Sequence, residues 1–495
     1  MTRYSCTLTL SLVSLAAAAV LAQAQTTPAA AAASQPASPV ENWIKDAKNP
    51  VSWLTWGGDL RIRNEYYDNI VSLSGGVALH EQDVIRYRGR VWASAVPIQD
   101  ISLNVRVSAE PREWMKPAFV SAYKGETGME WRYGVFDVLN LKWTNILQQP
   151  LSLTAGRQDV MFGDYYDWWL VLDGTPGDGS WAFWLDGVRL TYDSRDLKTK
   201  FDAMYIYQNA MPGKWVPTIG RSAYKGGTTS DYPITDQRER GLVFYVSNKS
   251  IEKTQLDGYF ILKHDDPQTF HYGATAKTPG DKGDIYTVGA KVTGTPAEHW
   301  QYSAEGAYQF GNKWDTVSGT LAKRDISAYG GKAKLTYLCK DERKNQLSLI
   351  GEFMSGDDPK TANKDEMFDV LWGRWPRWSE LYIYSYIYET SGKIAQMNNL
   401  LRVGPAWSVV PVKNLSFSAM YNAMFAPEST PTRTVAAPLF TNNGNFRGHY
   451  VQGILKYQLG KHAAAHLWGE FVWQGDYYTH RDLLSFLRGE VMFTF

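Results

Sequence analysis

The final twelve residues of the chain read LSFLRGEVMFTF. On an extended backbone, Ser485, Leu487, Gly489, Val491, Phe493 and Phe495 share one face. Phe486, Arg488, Glu490, Met492 and Thr494 share the other. This alternation marks a strand with an apolar environment on one side and a polar one on the other. It repeats along the chain. Ile85, Tyr87, Gly89, Val91, Ala93 and Ala95 oppose Arg86, Arg88, Arg90, Trp92 and Ser94. Ile101, Leu103, Val105, Val107 and Ala109 oppose Ser102, Asn104, Arg106, Ser108 and Glu110. A soluble sandwich alternates too, but its core seldom offers three successive arginines on the polar face beside more on the next strand.

The pattern predicts strands near 57–70, 84–96, 100–110, 133–143, 150–160, 183–193, 199–208, 240–248, 254–264, 284–294, 299–310, 326–338, 346–355, 399–410, 414–425, 448–459, 463–474 and 484–495. That makes about eighteen, an even number, as bacterial transmembrane barrels require. Connections alternate in length. Short turns fall at Pro97, Asn145, Ser194, Lys249, Thr295, Asp341, Val412 and Lys461, and long polar loops lie between them. A sandwich or propeller has no reason to separate loop lengths in this way. The reading is an all-β, antiparallel transmembrane barrel with short periplasmic turns, long extracellular loops and both termini in the periplasm.

Length alone would suggest two or three soluble domains for 495 residues. The 20 Trp, 30 Tyr and 19 Phe argue otherwise, because aromatic girdles mark both interfaces of a membrane barrel. Carbohydrate-binding β-proteins share that richness. Residues 1–24 read as a secretory signal: Arg3, an apolar run over 8–21, and Ala22-Gln23-Ala24 before the cut. A membrane anchor is the competing reading, and the run is short for one. Residues 25–55 form a flexible periplasmic segment, with a short helix or plug over 40–53, and 56–495 form the barrel. With Cys6 removed, Cys339 has no partner for an internal disulfide.

By parity, the lumen receives Arg61, Arg63, Arg86, Arg88, Arg90, Arg106, Arg189, Lys200, Lys263, Lys291, Lys332, Lys334, Arg402 and Arg488. Against them stand Asp59, Glu65, Glu110, Asp202, Asp257, Glu305, Glu352, Glu470 and Glu490. Two readings follow: a basic lumen that attracts anions, or charges that pair across strands and merely solvate the wall. Arg157 breaks the parity. It falls on the face of Leu151, Leu153 and Ala155, where an arginine at the bilayer midplane would cost roughly 2–4 kcal/mol. Either Gly156 marks a bulge that resets the register, or Arg157 lies above the hydrocarbon. Most Trp and Tyr suit girdles. Tyr165, Tyr166, Trp168, Trp169, Trp372, Trp375 and Trp378 lie in loops, so they either fold a loop into the lumen or touch a ligand.

Signals for catalysis are poor. His462 and His466 lack a third ligand, and no G-x-S-x-G occurs. Asp164 with Asp167, or Asp357 with Asp358, could hold a loop Ca2+, against the plainer reading of solvated loop acids. No other cofactor is expected, and nothing points to nucleic acid.

Gly156-Arg157-Gln158-Asp159 running into Phe162-Gly163-Asp164 resembles a strand and loop of the alginate export family of outer-membrane porins. Asp186-Gly187-Val188-Arg189-Leu190 resembles that family's following strand. So do Ser355-Gly356-Asp357-Asp358 and the run LWGRWPRWSEL over residues 371–381. The resemblance implies an 18-stranded monomeric barrel, gives Arg157 and Arg189 a lumen role, and favours the bulge at Gly156. Expected partners are outer-membrane lipid and lipopolysaccharide, a carbohydrate or anionic solute, and the barrel-assembly machinery, which would read the strand ending at Phe495. The leading function is a passive channel for anionic sugars or oligosaccharides. The alternative is an export duct for an alginate-like polyuronate. A barrel lipase lacks a Ser–His pair at one rim, and a nonconducting adhesin would need loops that plug the barrel.

Overall fold

The computed structural model describes residues 39–495 except 119–124, 161, 163–183, 221–222, 225–227, 230–232, 273–274, 278–280, 316–321, 374–375, 390–396 and 432–438. Among these residues the barrel strands are β1 Leu54–Asp68, β2 Glu81–Ile98, β3 Ile101–Ala109, β4 Val135–Trp143, β5 Leu151–Gln158, β6 Leu185–Ser194, β7 Thr199–Gln208, β8 Gln237–Asn248 and β9 Thr254–Pro267. They continue as β10 Lys282–Ala297, β11 Trp300–Asp315, β12 Ala322–Leu338, β13 Gln346–Met354, β14 Leu400–Val412, β15 Leu415–Phe425, β16 Phe446–Gln458, β17 Ala463–Gln474 and β18 Leu483–Thr494. Each pairs antiparallel with its neighbours in sequence. β18 returns to β1, matching Leu60 with Phe493 and Ile62 with Val491. This closed ring of eighteen strands leaves no edge to be satisfied inside a membrane.

Alternation decides which side chains face out. Leu60, Ile62, Val91, Leu103, Val188, Phe244, Leu335, Leu349, Leu467, Leu487 and Phe493 are exposed on the outer wall. Their neighbours along each strand, such as Arg61, Arg63, Asn104, Arg488 and Glu490, point inward. Around six successive strands the inward row at one level is Asp257, Lys291, Glu305, Lys332, Glu352 and Arg402. Opposite charges are thus placed side by side from β9 to β14, the cross-strand pairing that fixes register.

At Arg157 the structure differs from the bulge expected in β5. Pairing of β5 with β6 runs without a skip from Leu151↔Tyr192 to Gln158↔Leu185. Gly156 instead adopts φ +115°, and a Cβ there would meet the Leu139 carbonyl oxygen at 2.4 Å. Only glycine tolerates that conformation cheaply. The skipped residue lies one strand away, in β4, where Arg106 matches Val138 and Val107 matches Phe136. Arg157 stays on the row of Leu151, Leu153 and Ala155 and is buried there by Asp186, Trp184 and the carbonyls of Phe136 and Pro212.

Among the described residues two α-helices accompany the barrel. α1, Pro39–Lys48, lies at the short-turn end, where Trp56 Nε1 donates to the Ala47 carbonyl and Lys461 pairs with Glu41 at 2.8 Å. α2, Glu380–Glu389, belongs to the long connection between β13 and β14. That connection folds into the barrel. Its Phe368, Trp372, Trp378, Leu381, Tyr382 and Tyr386 join one buried cluster with Tyr67, Tyr450, Trp468 and Phe486 of the wall. No helix among the described residues is long and apolar enough to cross a membrane.

Candidate functional site: the lumenal charge network

The inner faces of β1, β2 and β18 gather arginines and carboxylates into one network. Arg61 contacts Glu110 at 2.8 Å and Glu490 at 3.7 Å. Arg63 contacts Glu490 at 2.5 Å and Glu65 at 3.3 Å. Arg86 bridges Glu65 at 2.5 Å and Glu110 at 2.9 Å. Arg488 reaches Glu65 at 2.5 Å and Glu380 of α2 at 2.6 Å. Arg88 and Arg90 share Asp59, at 3.5 and 2.6 Å. Register places these groups together: Arg61 faces Arg88, Arg63 faces Arg86, and Glu65 faces Arg488. Like charges directly opposed repel, so the interleaved carboxylates are what makes this packing of arginines tolerable. Arg61, Arg63, Arg86, Arg88 and Arg488 are all buried.

The inner connection covers part of this wall. The Tyr67 hydroxyl donates to Glu65 and accepts from the Tyr384 hydroxyl, 3.2 Å away. Glu470 of β17 accepts hydrogen bonds from the Ser379 hydroxyl and from the amides of Glu380 and Leu381, at 2.5, 2.8 and 3.2 Å. Ser379 also accepts from the Tyr382 amide at 3.0 Å, making it the N-cap of α2. A wall carboxylate at a helix N-terminus satisfies orphan amides and favours the positive end of the helix dipole. At the other end of α2, Glu389 pairs with Arg447 at 2.7 Å. Arg402 pairs with Glu352 and lies 4.4 Å from the Trp378 ring. Trp372 packs over Gly241, where a Cβ would sit 2.7 Å from the indole. Both described loop tryptophans therefore fold the connection into the lumen. Trp168, Trp169 and Trp375 lie outside the described residues, as do Asp164 and Asp167.

A different exposure holds on the wall from β2 to β7. The side chains of Arg90, Arg106 and Arg189 remain 16, 15 and 18% accessible. Their carboxylate partners Asp59, Asp137 and Asp202 are only 3, 0 and 3% accessible. Here each arginine presents its guanidinium over a buried acid. Arg106 also makes a forked contact to Asp159, at 2.8 and 3.0 Å, and Asp159 is 38% accessible. Arg157 clamps the strands beside them. It donates to Asp186 at 2.8 and 3.1 Å and to the carbonyls of Phe136 and Pro212, and it stacks 4.3 Å from Trp184.

Parity reasoning missed Asp137, Asp159 and Asp186. The irregular pairing in β4 hides the facing of Asp137, Asp186 lies opposite Arg157 on the row that parity assigns to the outer wall, and Asp159 lies past the end of β5. Asp357 accepts two bonds from Arg324 Nη2, at 2.7 and 2.9 Å, and one from the Glu366 amide. Among the described residues no group of three or more acids, histidines or cysteines is placed to hold a metal ion.

The sequence model of the family described as "Alginate export" matches residues 52–484, nearly the whole ring. The chain belongs to the alginate export family. No curated protein matches it in sequence. Among solved structures, Pseudomonas aeruginosa OccK8 (OprE) superposes with a TM-score of 0.50 at 9% identity, covering 90% of this chain and 98% of that one. Acinetobacter baumannii OccAB2 gives 0.49 at 12% identity, covering 89 and 98%. The first likeness is one of fold. Family and architecture are those of outer-membrane channels rather than of enzymes.

Proposed function

We propose that this alginate export family barrel passes hydrophilic anions, with sugar acids and acidic oligosaccharides as the preferred class. The observation that carries this is the stacking order on the β2–β7 wall. The side chains of Arg90, Arg106 and Arg189 stay partly accessible above Asp59, Asp137 and Asp202, which are buried, and the Asp159 that forks Arg106 is itself open to the lumen side at 38% accessibility. A solute carboxylate moving along that wall meets the guanidinium edges of Arg90 and Arg189 and exchanges with the accessible Asp159 for the planar fork of Arg106. The paired acids keep each arginine oriented while making the site weak enough to release what it binds, as conduction requires. In this reading Arg61, Arg63, Arg86, Arg88, Arg402 and Arg488 line the barrel but serve chiefly to set the wall and seat the inner connection, and Arg157 acts as a clamp.

The short-turn end, with α1, faces the periplasm in this reading, and the protein acts as a monomer. The family's own description supports a second reading, a duct that exports an acidic polysaccharide. Single-channel recording under a salt gradient tests the selectivity. The wild type should show an anion-selective reversal potential, and Arg106→Glu with Arg189→Glu should lower or invert it. Cation preference in the wild type, or no change in the variants, would refute the proposal.

A further inference from the structure

A cleft of about 470 Å3 lies at the short-turn mouth of the barrel, remote from the arginine wall. It is built on β9 to β12. Gln255, Thr293, Ser303 and Lys334 follow one another across the four strands in register. They sit two residues below Asp257, Lys291, Glu305 and Lys332, on the same inward face. One layer nearer the mouth, Thr336 faces Gln301 and bonds to Ser348 Oγ at 2.8 Å. The turn between β8 and β9 adds Lys249, Glu252 and Lys253.

The chemistry of this lining is specific. The lining carries three ammonium groups, Lys249, Lys253 and Lys334, and one carboxylate, Glu252. Between them lie hydroxyl and amide groups that both donate and accept. Glu252 and Lys253 approach to 4.0 Å at exposed positions, a pairing that solvent screens heavily. The volume falls within the range of small-molecule sites, and the few charges among many neutral polar groups would set orientation. We propose that this cleft is a binding subsite for a polyhydroxylated anion, a sugar acid or a short run of them, held at the mouth before or after passage along the arginine wall. The ammonium groups take the carboxylate, Thr293, Thr295 and Ser303 take the hydroxyls, and Gln255, whose Nε2 is held by Asp257 at 2.8 and 3.1 Å, offers its carbonyl oxygen. The inference deepens the anion-channel reading and rests on it for the identity of the solute.

The test is isothermal titration of the full-length, detergent-solubilised barrel with trigalacturonate and, separately, with neutral maltotriose. The acidic trimer should bind at least tenfold more tightly. Lys334→Gln should weaken it about tenfold while leaving the neutral trimer unchanged. Lys253→Gln, in the exposed turn before β9 and leaving the backbone bond from Thr295 intact, should act in the same direction and guards against misfolding of the first variant. Equal binding of the two trimers, no binding of either, or undiminished binding in both variants overturns the subsite. Reversal potentials on the same preparations separate the two proposals. An anion-selective barrel that binds neither trimer loses the cleft alone. A cation-selective barrel that binds trigalacturonate through Lys334 keeps the cleft and loses the selectivity reading.

Discussion

Glu65 of β1 and Arg488 of β18 meet at 2.5 Å across the seam where the chain closes on itself. They are 423 residues apart in sequence and directly opposed in register. Glu65 also takes Arg63 and Arg86, so one carboxylate compensates three buried guanidiniums around the closure.

Glu65→Gln should therefore be among the most damaging single substitutions in the barrel. Removing one partner from a buried ion pair typically costs about 3–5 kcal/mol. Neighbouring Glu110 and Glu490 still serve Arg86 and Arg63, which places the expected loss near the lower figure. Urea unfolding of the reconstituted barrel measures it, and a variant as stable as the parent would show that the seam does not depend on this charge.

Glu470→Ala removes the wall's hold on the start of α2. Three hydrogen bonds from Ser379, Glu380 and Leu381 are lost, while Ser379 keeps its own capping bond. Losing a cap typically costs about 0.5–2 kcal/mol. The inner connection should leave the lumen more often, seen as larger or more frequent conductance steps in single-channel traces. Unaltered traces would mean the connection is held elsewhere, by Arg447 and Arg402.

Gly156→Ala tests the backbone device beside Arg157. A Cβ at φ +115° collides with the Leu139 carbonyl oxygen. Residues forced into such regions cost of order 1–3 kcal/mol. The variant should fold in lower yield, with heat-modifiable electrophoretic migration as the readout. Full wild-type yield would show that the β4–β5 pairing yields locally.

Deleting Phe495 should impair assembly and leave selectivity alone. Its amide donates to the Gly58 carbonyl at 3.0 Å, its carbonyl accepts from the Gly58 amide at 3.2 Å, and its ring packs edge-on to Trp56 at 5.6 Å. The loss falls on the last pairing of the seam and on an aromatic at the wall's exposed rim. Surface yield in cells is the measurement, with reversal potential as the control. A changed potential at normal yield would contradict this assignment.

The inner connection should loosen as pH rises from about 4 to about 7. Burial, then repulsion from Asp365, pushes the Asp357 carboxyl up to about 6, and Arg324 opposes the shift. An unperturbed Asp titrates near about 3.9. The folded connection thus binds more protons than the released one within that interval, and its stability falls as pH rises through it. Gating frequency should climb over this range, and Asp357→Asn should flatten the response. A profile that rises toward acid would reverse the sign and remove Asp357 from the explanation.

Much of the wall was legible because strand patterning is local. The expected strands at 199–208 and 463–474 coincide with Thr199–Gln208 and Ala463–Gln474, and the pairing of β18 with Leu60 and Ile62 follows from closure. Arg157 shows where this reasoning stops. Its register is unbroken, and it is buried by Trp184, Asp186 and the carbonyls of Phe136 and Pro212, contacts that period-two counting cannot register. Asp137 was missed for a different reason, since one skipped residue in β4 shifts everything counted past it.

The sequence by itself determined the strand number, the inward and outward faces wherever pairing is regular, and the closing partner of the last strand. Each follows from alternation, turn spacing and the need to satisfy every backbone group within lipid. Tertiary structure alone decided which arginines are sealed and which remain accessible. That depends on where the connection carrying α2 lies, on Glu380 meeting Arg488 and Glu470 meeting Ser379. Such contacts join segments about a hundred residues apart and have no period, so no local pattern encodes them.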